Sequence, residues 1–140
     1  MTDDPFDLAR FSDAQAPVYQ RVLAELRAGE KRSHWMWFIF PQIAGLGHSP
    51  MAGRYAISGR AEALAYLAHP LLGTRLDECT AAMLTHRHRS AHAILGSPDD
   101  LKFRSCMTLF AAVSEQRSGF EQALRQFCGG KPDEATLARL

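Results

Sequence analysis

Residues 97–114 read SPDDLKFRSCMTLFAAVS and contain the clearest helix start in the chain. Ser97 is a good N-cap, Pro98 suits the first helical position, and Asp100 completes a capping box at the positive end of the helix dipole. The apolar residues that follow nearly encircle the helix, and hydrophobicity on all faces is typical of a buried helix. The stretch therefore predicts one central, buried helix over about residues 98–114.

Apolar residues at helical spacing continue on both sides of this helix. They predict a helix over residues 13–28 that ends at Gly29, and a shorter helical piece before it with Phe6, Leu8 and Phe11 packing inward. Ser58 can cap a helix over residues 60–68, and Pro70 suits the first position of the next helix. The apolar stripe of that next helix runs from Leu72 to Met83. Further helices are expected over residues 90–95 before Gly96, from Phe120 to Phe127 before Gly129-Gly130, and as a last turn or two over residues 133–140. Residues 51–57 fit either a short helical turn or an extended piece.

Strand signals are weak by comparison. The only strand candidate is the aromatic run at residues 35–40, which does not alternate with polar residues and has no partner strand. We therefore expect an all-α, compact single domain over residues 1–140. It should contain about six or seven helices around the central helix and at most one short extended segment.

Length and charge narrow the class of protein. The 140 residues suit one domain, and sixteen basic against fifteen acidic residues argue against a dedicated nucleic-acid binder. The longest strongly apolar run, residues 35–40, is too short for a membrane-spanning helix, which needs about 20 residues. No signal peptide is visible at the acidic N-terminus. We expect a cytoplasmic protein that does not enter the membrane. The sequence leaves open whether the protein forms a homo-oligomer.

The cysteines and histidines do not suggest a metal site. Cys79, Cys106 and Cys128 are far apart and form no C-x-x-C pair. His88 and His92 are four residues apart, but a bend separates them and no carboxylate stands between them. We expect no metal and no cofactor, and we expect the thiols at Cys79 and Cys106 to be buried and unreactive.

Residues 33–42, SHWMWFIFPQ, form the first candidate binding motif. The aromatic run can be plain core, but polar residues flank it on both sides, and apolar walls with a few polar groups are typical of a ligand pocket. Indoles can stack on a purine or nicotinamide ring while a lysine or arginine meets phosphate. The candidate binding residues of this segment are Lys31, Arg32, Ser33, Trp35, Trp37 and Gln42, and His34 is a candidate acid or base.

Two further segments carry candidate binding groups. Gly45 and Gly47 allow a close backbone approach and an anion-binding turn, although a tight turn leaving the core is the more usual reason for such a pair. A polar stripe on the central helix either permits close helix packing or lines a polar cavity. Its arginine favours the cavity because a buried guanidinium needs a partner. The candidates on this helix are Lys102, Arg104, Ser105 and Thr108 for binding, with Asp99 and Asp100 as acid or base.

The chain resembles the bacterial family known as domain of unknown function 1810, sometimes labelled calpastatin automatically. The resemblance rests on the string from Gly29 to Gln42, on Gly45-Leu46-Gly47 and on residues 97–102, and it covers essentially the whole chain. It implies a compact, mainly helical domain and assigns no catalytic role. At the level of fold, the chain is also similar to the helical NADAR proteins, which act on ADP-ribose derivatives.

Three functions follow from these observations. The first is binding, with hydrolysis open, of a nucleotide-like or ADP-ribose-like small molecule in a pocket lined by residues 33–42; whether the protein is an enzyme is left open. The alternative is a non-catalytic interaction module or homodimer that uses the aromatic motif as its interface. Nucleic-acid binding is the weakest, because the clusters Lys31-Arg32 and Arg87-His88-Arg89 are short.

Overall fold

A computed structural model describes residues 4–115 and 119–140, and this part of the chain contains ten helices. In chain order they are α1 (Ala9–Gln15), α2 (Tyr19–Ala28), α3 (Met36–Ile39), α4 (Pro50–Arg54), α5 (Arg60–Ala68), α6 (Leu72–Leu84), α7 (Ala91–Leu95), α8 (Asp99–Val113), α9 (Gly119–Cys128) and α10 (Glu134–Leu137). The all-α class is confirmed. The number of helices is larger than the six or seven expected, because α3 forms within the strand candidate and α4 forms where the sequence allowed either a helical turn or an extended piece.

Helix α8 is the central, buried helix that the sequence predicts, and its ends agree with the expected 98–114 within one residue. It packs against α5, α7, α9 and α10. Burial of the apolar side chains of α8 against these helices is the main contribution that holds them in place. The side chains of α8 with no exposed surface are Phe103, Cys106, Met107, Leu109 and Phe110.

The start expected for the helix over residues 13–28 is wrong, because this helix, α2, begins at Tyr19 after a turn. Helix α1 corresponds to the shorter helical piece expected before it, and extends to Gln15. Pro17 explains the break: it has no N–H for the helical ladder, and its ring would clash with the preceding turn. Gly29 ends α2 as expected, in the left-handed conformation with φ of 74°.

Two of the expected helix caps are also wrong. The N-cap of α8 is Pro98 rather than Ser97, and no side-chain hydrogen bond caps this end. The Gly96 carbonyl accepts from the Asp100 N–H, and the Pro98 carbonyl accepts from the N–H groups of Leu101 and Lys102. Gly59 is the N-cap of α5 in place of Ser58. The α6 helix begins at Leu72 rather than at Pro70, with the His69 Nδ1 accepting from the Leu71 and Leu72 N–H groups.

The aromatic run is helical rather than extended, because α3 covers four of its residues. Buried Gln15 of α1 anchors this helix by donating from Nε2 to the Phe38 carbonyl at 2.7 Å. The extended pairing in the described residues is one isolated parallel bridge between Ile43 and Ile57. Within residues 4–115 and 119–140, no helix is both long enough and apolar enough to cross a membrane.

Candidate functional site

The segment that follows α2 is organised by one buried carboxylate, Glu25. Its Oε1 accepts hydrogen bonds from the Arg32 N–H at 2.8 Å, from the Ser33 N–H at 3.1 Å and from the Trp35 Nε1 at 2.9 Å. Its Oε2 accepts from the Ser33 hydroxyl at 2.6 Å. Four donors on one carboxylate fix the path of the chain into the aromatic run.

The environment keeps Glu25 ionised. Burial is the largest single effect and raises its pKa, but the hydrogen bonds from Ser33, Arg32 and Trp35 together outweigh burial and lower the pKa to about 2. Sequence reasoning missed this residue. The signal for it was present, because Glu25 lies on the same apolar face of α2 as Val22 and Leu26, where a carboxylate needs partners.

The aromatic run is mostly core. Five of its six side chains, all but Trp37, are 8% exposed or less. Trp35 is only 1% exposed, and its indole nitrogen is bonded to Glu25, so this ring offers no free face for a ligand to stack on. The half-buried Trp37 is the remaining candidate of the two.

A cluster of charges joins the motif to the start of α8. The Lys31 Nζ lies 3.0 Å from Asp99 Oδ2, and the Lys102 Nζ lies 3.8 Å from Asp99 Oδ1. Each lysine also covers an indole, Lys31 at 5.1 Å from the Trp35 ring centre and Lys102 at 5.4 Å from that of Trp37. The Lys31 side chain is only 8% exposed, whereas that of Lys102 is 27% exposed and reachable.

Beside Lys102 lies a groove of about 270 Å³, here called the α8 groove. It brings together Gln42 of the motif, Gly47 of the glycine turn, and Lys102 and Ser105 of the central helix. These four were predicted from separate parts of the sequence. The other lining residues are Leu46, Pro98, Leu101, Asp133 and Ala135.

Asp133 is the residue of this groove that sequence reasoning missed. Its Oδ2 accepts from the Ser105 hydroxyl at 3.1 Å, from the Thr136 N–H at 3.1 Å and from the Thr136 hydroxyl at 2.5 Å. It therefore caps α10 and at the same time joins the C-terminal segment to α8. The pattern Asp-x-x-Thr was a capping signal, but nothing in the sequence indicated that it faces Ser105.

Arg104 and Thr108 hold the C-terminal segment and do not line the α8 groove. The Arg104 Nε donates to the Lys131 carbonyl at 3.0 Å, and its Nη2 donates to the Pro132 carbonyl at 2.9 Å. The Thr108 hydroxyl accepts from the Asp133 N–H at 2.9 Å. The half-buried guanidinium thus finds its partners in backbone carbonyls of the same chain.

The other candidates lie outside this groove. Arg32 is 73% exposed and pairs with Glu30 at 3.1 Å, and His34 is exposed. The Ser33 hydroxyl donates its hydrogen bond to the Glu25 carboxylate. Gly45 has a φ of 98°, a left-handed conformation that favours glycine. Asp100 lies 3.6 Å from His92, on the far side of Leu101.

A metal centre finds no support in the described residues. No three His, Cys, Asp or Glu side chains within residues 4–115 and 119–140 are close enough to share a metal ion. The groups that converge at the α8 groove are a lysine, an amide, a hydroxyl and a carboxylate. This set is suited to binding an organic anion that also carries hydrogen-bond donors.

Residues 5–140 match the model of the family described as "Protein of unknown function (DUF1810)". The chain belongs to this family. It is also similar to the conserved hypothetical protein Rv1873 from Mycobacterium tuberculosis, whose crystal structure is known. The two are 55% identical, the alignment covers 98% of each chain, and the TM-score is 0.96. No curated protein matches the chain significantly.

Proposed function

We propose that this DUF1810 protein binds a small, nucleotide-like or ADP-ribose-like anion in the α8 groove. One observation carries the proposal: Gln42 of the aromatic motif and Lys102 and Ser105 of the central helix line the same groove. Polar groups that are distant in sequence and meet at one concave surface with apolar walls are typical of a ligand site.

Lys102 would supply the positive charge of the site. Asp99 lies between Lys31 and Lys102, so the cluster of two ammonium groups and one carboxylate has a net charge of +1. Lys31 is closer to Asp99 and nearly buried, which leaves Lys102 the less compensated of the two. A phosphate beside Lys102 would form a charge-assisted hydrogen bond, and Trp37 would lie next to it.

The remaining lining residues suit the organic part of such a ligand. Leu46, Pro98 and Leu101 give apolar walls for a ring or sugar face. Asp133 presents the carboxylate oxygen that its three donors leave unused, and this oxygen can accept from hydroxyl or amino groups. Gln42 can donate or accept through its amide.

The geometry supports binding more than hydrolysis. His34 is exposed and does not line the groove, and Asp99 is held between two lysines. General acid–base catalysis needs such a group within hydrogen-bond reach of the reacting atom. The proposal therefore assigns no catalytic role to His34, Asp99 or Asp100.

The alternative function, an interaction module or homodimer built on the aromatic motif, has less support. An interface of this kind needs an exposed apolar patch. Because five of the six side chains of residues 35–40 are buried, such an interface would depend on Trp37 alone.

Isothermal titration calorimetry with adenosine monophosphate (AMP) and ADP-ribose tests the proposal. We expect wild-type protein to bind at least one of them, and Lys102→Ala to weaken binding by about tenfold, the order of one charge-assisted hydrogen bond. Lys131→Ala is the matched control, because this exposed lysine lies outside the groove. Absence of binding by wild-type protein at millimolar ligand, or equal affinities of wild type and Lys102→Ala, would contradict the proposal.

A further inference from the structure

A second cleft lies on the other side of Leu101. It has a volume of about 230 Å³. Leu101 forms a wall of both the α8 groove and this cleft. Its side chain is 59% exposed, more than that of any other exposed large apolar residue in the described part of the chain. The residues lining the second cleft are Ser90, Ala91, His92, Asp100, Leu101, Arg104, Phe127 and Cys128.

Neither depression alone has the usual size of a ligand site. The volumes of about 270 Å³ and about 230 Å³ both fall below the range of roughly 300–1,000 Å³ that is typical of such sites. The two together fall within it. A molecule lying across Leu101 would use both and would remove this exposed apolar side chain from water.

The second cleft is chemically suited to a planar ring. The Phe127 ring is half-buried in its wall, and the His92 side chain is 67% exposed at its edge. The Asp100 carboxylate also lines this cleft, and its side chain is 22% exposed. It can therefore accept a hydrogen bond from a ring N–H or an amino group of a ligand.

The ridge between the two depressions has a cation on each side. Lys102 lines the α8 groove, and Arg104, two residues further along α8, lines the second cleft. The Nε and Nη2 of Arg104 are bonded to carbonyls, but its charge is not balanced by any ion pair among the described residues. An anionic linker crossing Leu101 would lie between these two positive charges.

We infer that the ligand has two heads. One end, a sugar or a ring, lies in the α8 groove. The other end, a planar ring with a hydrogen-bond donor, lies in the second cleft. A phosphate-type linker between the two ends crosses Leu101. This inference rests on the proposed function, since it places one end of the ligand at Lys102. It adds the class of ligand: two organic groups joined by an anionic bridge rather than a mononucleotide.

The test compares a two-headed probe with a one-headed probe on matched histidine variants. ADP-ribose has two such ends, an adenine ring and a ribose, joined by a diphosphate, whereas ribose 5-phosphate has only the sugar end with a terminal phosphate. We expect wild-type protein to bind ADP-ribose at least about tenfold more tightly than ribose 5-phosphate. His92→Ala should reduce this preference to about threefold or less, while the affinity for ribose 5-phosphate stays the same.

His88→Ala is the control, because His88 is exposed and lies outside both depressions. Since His92 is exposed as well, both variants should keep the thermal unfolding temperature of the wild type. Equal affinities of ribose 5-phosphate and ADP-ribose for wild type, both weakened by Lys102→Ala, would overturn the two-headed ligand and leave the proposed function intact. A preference for ADP-ribose that His92→Ala does not change would also overturn it. Failure of ADP-ribose, ribose 5-phosphate and AMP to bind wild type would remove the proposed function and this inference together.

Discussion

The indole Nε1 of Trp35 donates a hydrogen bond to the Oε1 of Glu25 at 2.9 Å, and both side chains are buried. The bond connects the first indole of the aromatic motif to α2, ten residues earlier in the chain. Trp35 is therefore part of the frame that positions the motif. Trp37, two residues later, is half-buried and lies under the Lys102 ammonium group beside the α8 groove.

Replacing Glu25 by glutamine should destabilise the fold. The amide keeps one acceptor oxygen, and its NH₂ group cannot accept a hydrogen bond. The substitution therefore removes the acceptor either of the three N–H groups that bond Oε1, those of Arg32, Ser33 and the Trp35 indole, or of the Ser33 hydroxyl that bonds Oε2. We expect Glu25→Gln to lower the free energy of unfolding by about 2–3 kcal/mol, the scale of a lost hydrogen bond to a buried charged group. Urea unfolding followed by tryptophan fluorescence measures the loss.

Glu30→Gln is the control for that variant. Glu30 is exposed at 58% of its side-chain surface, and its pair with Arg32 is solvated, so its loss should change stability by less than about 0.5 kcal/mol. Equal effects of the two substitutions would show that Glu25 does not organise the motif.

The contribution of Glu25 should depend on pH in one direction. Its pKa in the folded protein is about 2, below the ordinary value of about 4.3 for an unfolded glutamate. A lowered pKa stabilises the folded state above the unfolded value, and this stabilisation is lost as the pH falls from about 4.3 toward about 2.

The difference in unfolding free energy between wild type and Glu25→Gln should therefore shrink between about pH 5 and about pH 3. Urea unfolding of both proteins over this interval checks the sign. Glu30→Gln serves again as the comparison, and its difference from wild type should stay small throughout. A gap that widens on acidification is incompatible with an ionised, hydrogen-bonded Glu25.

The sequence predicted those parts of the fold that depend on local pattern. Helix α8 could be located within one residue at each end, because apolar residues on all its faces identify a buried helix. The ends of α7 and α9 follow from Gly96 and from Gly129, because a glycine directly after the last helical residues commonly ends a helix. Pro17 is also a local signal for a break, but the apolar spacing on both sides of it is typical of one continuous helix and led to the wrong start for α2.

The candidate site was only partly predictable, because its contacts join residues far apart in the chain. Gln42 and Lys102 carried polar groups next to apolar runs and could be identified individually. That Asp133 bonds Ser105, 28 residues earlier, has no counterpart in sequence spacing. The same holds for Arg104, whose partners are backbone carbonyls, since no side-chain pattern identifies a carbonyl acceptor.

Replacing Arg104 by lysine should loosen the C-terminal segment while the rest of the fold stays intact. A lysine has one terminal ammonium group and cannot reproduce the two bonds that the planar guanidinium gives to Lys131 and Pro132. We expect the amide hydrogens of Asp133 and Thr136 to exchange about 5–50-fold faster, which corresponds to a loss of about 1–2.3 kcal/mol.

Hydrogen exchange measured by nuclear magnetic resonance reports these two amides directly, and amides in the middle of α8 give the internal reference. Arg125→Lys, an exposed position on α9, is the matched control and should leave both rates unchanged. Unchanged protection of Asp133 and Thr136 in Arg104→Lys would mean that Arg104 does not hold the segment.

The three cysteines should differ in reactivity toward a thiol reagent. Burial raises the pKa of Cys79 to about 12 and that of Cys106 well above its ordinary value, and both side chains are at most 1% exposed. Cys128 is half-buried, and burial, the largest effect, raises its pKa while Arg104 lowers it. Because the thiolate is the reacting form, native protein at about pH 8 should show one slow-reacting thiol, Cys128, and two silent ones.

Titration with a chromogenic disulfide reagent gives both the number of thiols and their rates. All three should react in concentrated guanidinium chloride, and Cys128→Ser should remove the native reaction while leaving two thiols in the unfolded chain. The native rate should rise with pH, since a raised pKa keeps the thiolate fraction small near neutrality. If Cys79 or Cys106 reacted in native protein as fast as Cys128, the core around α6 and α8 would have to open far more often than its burial implies.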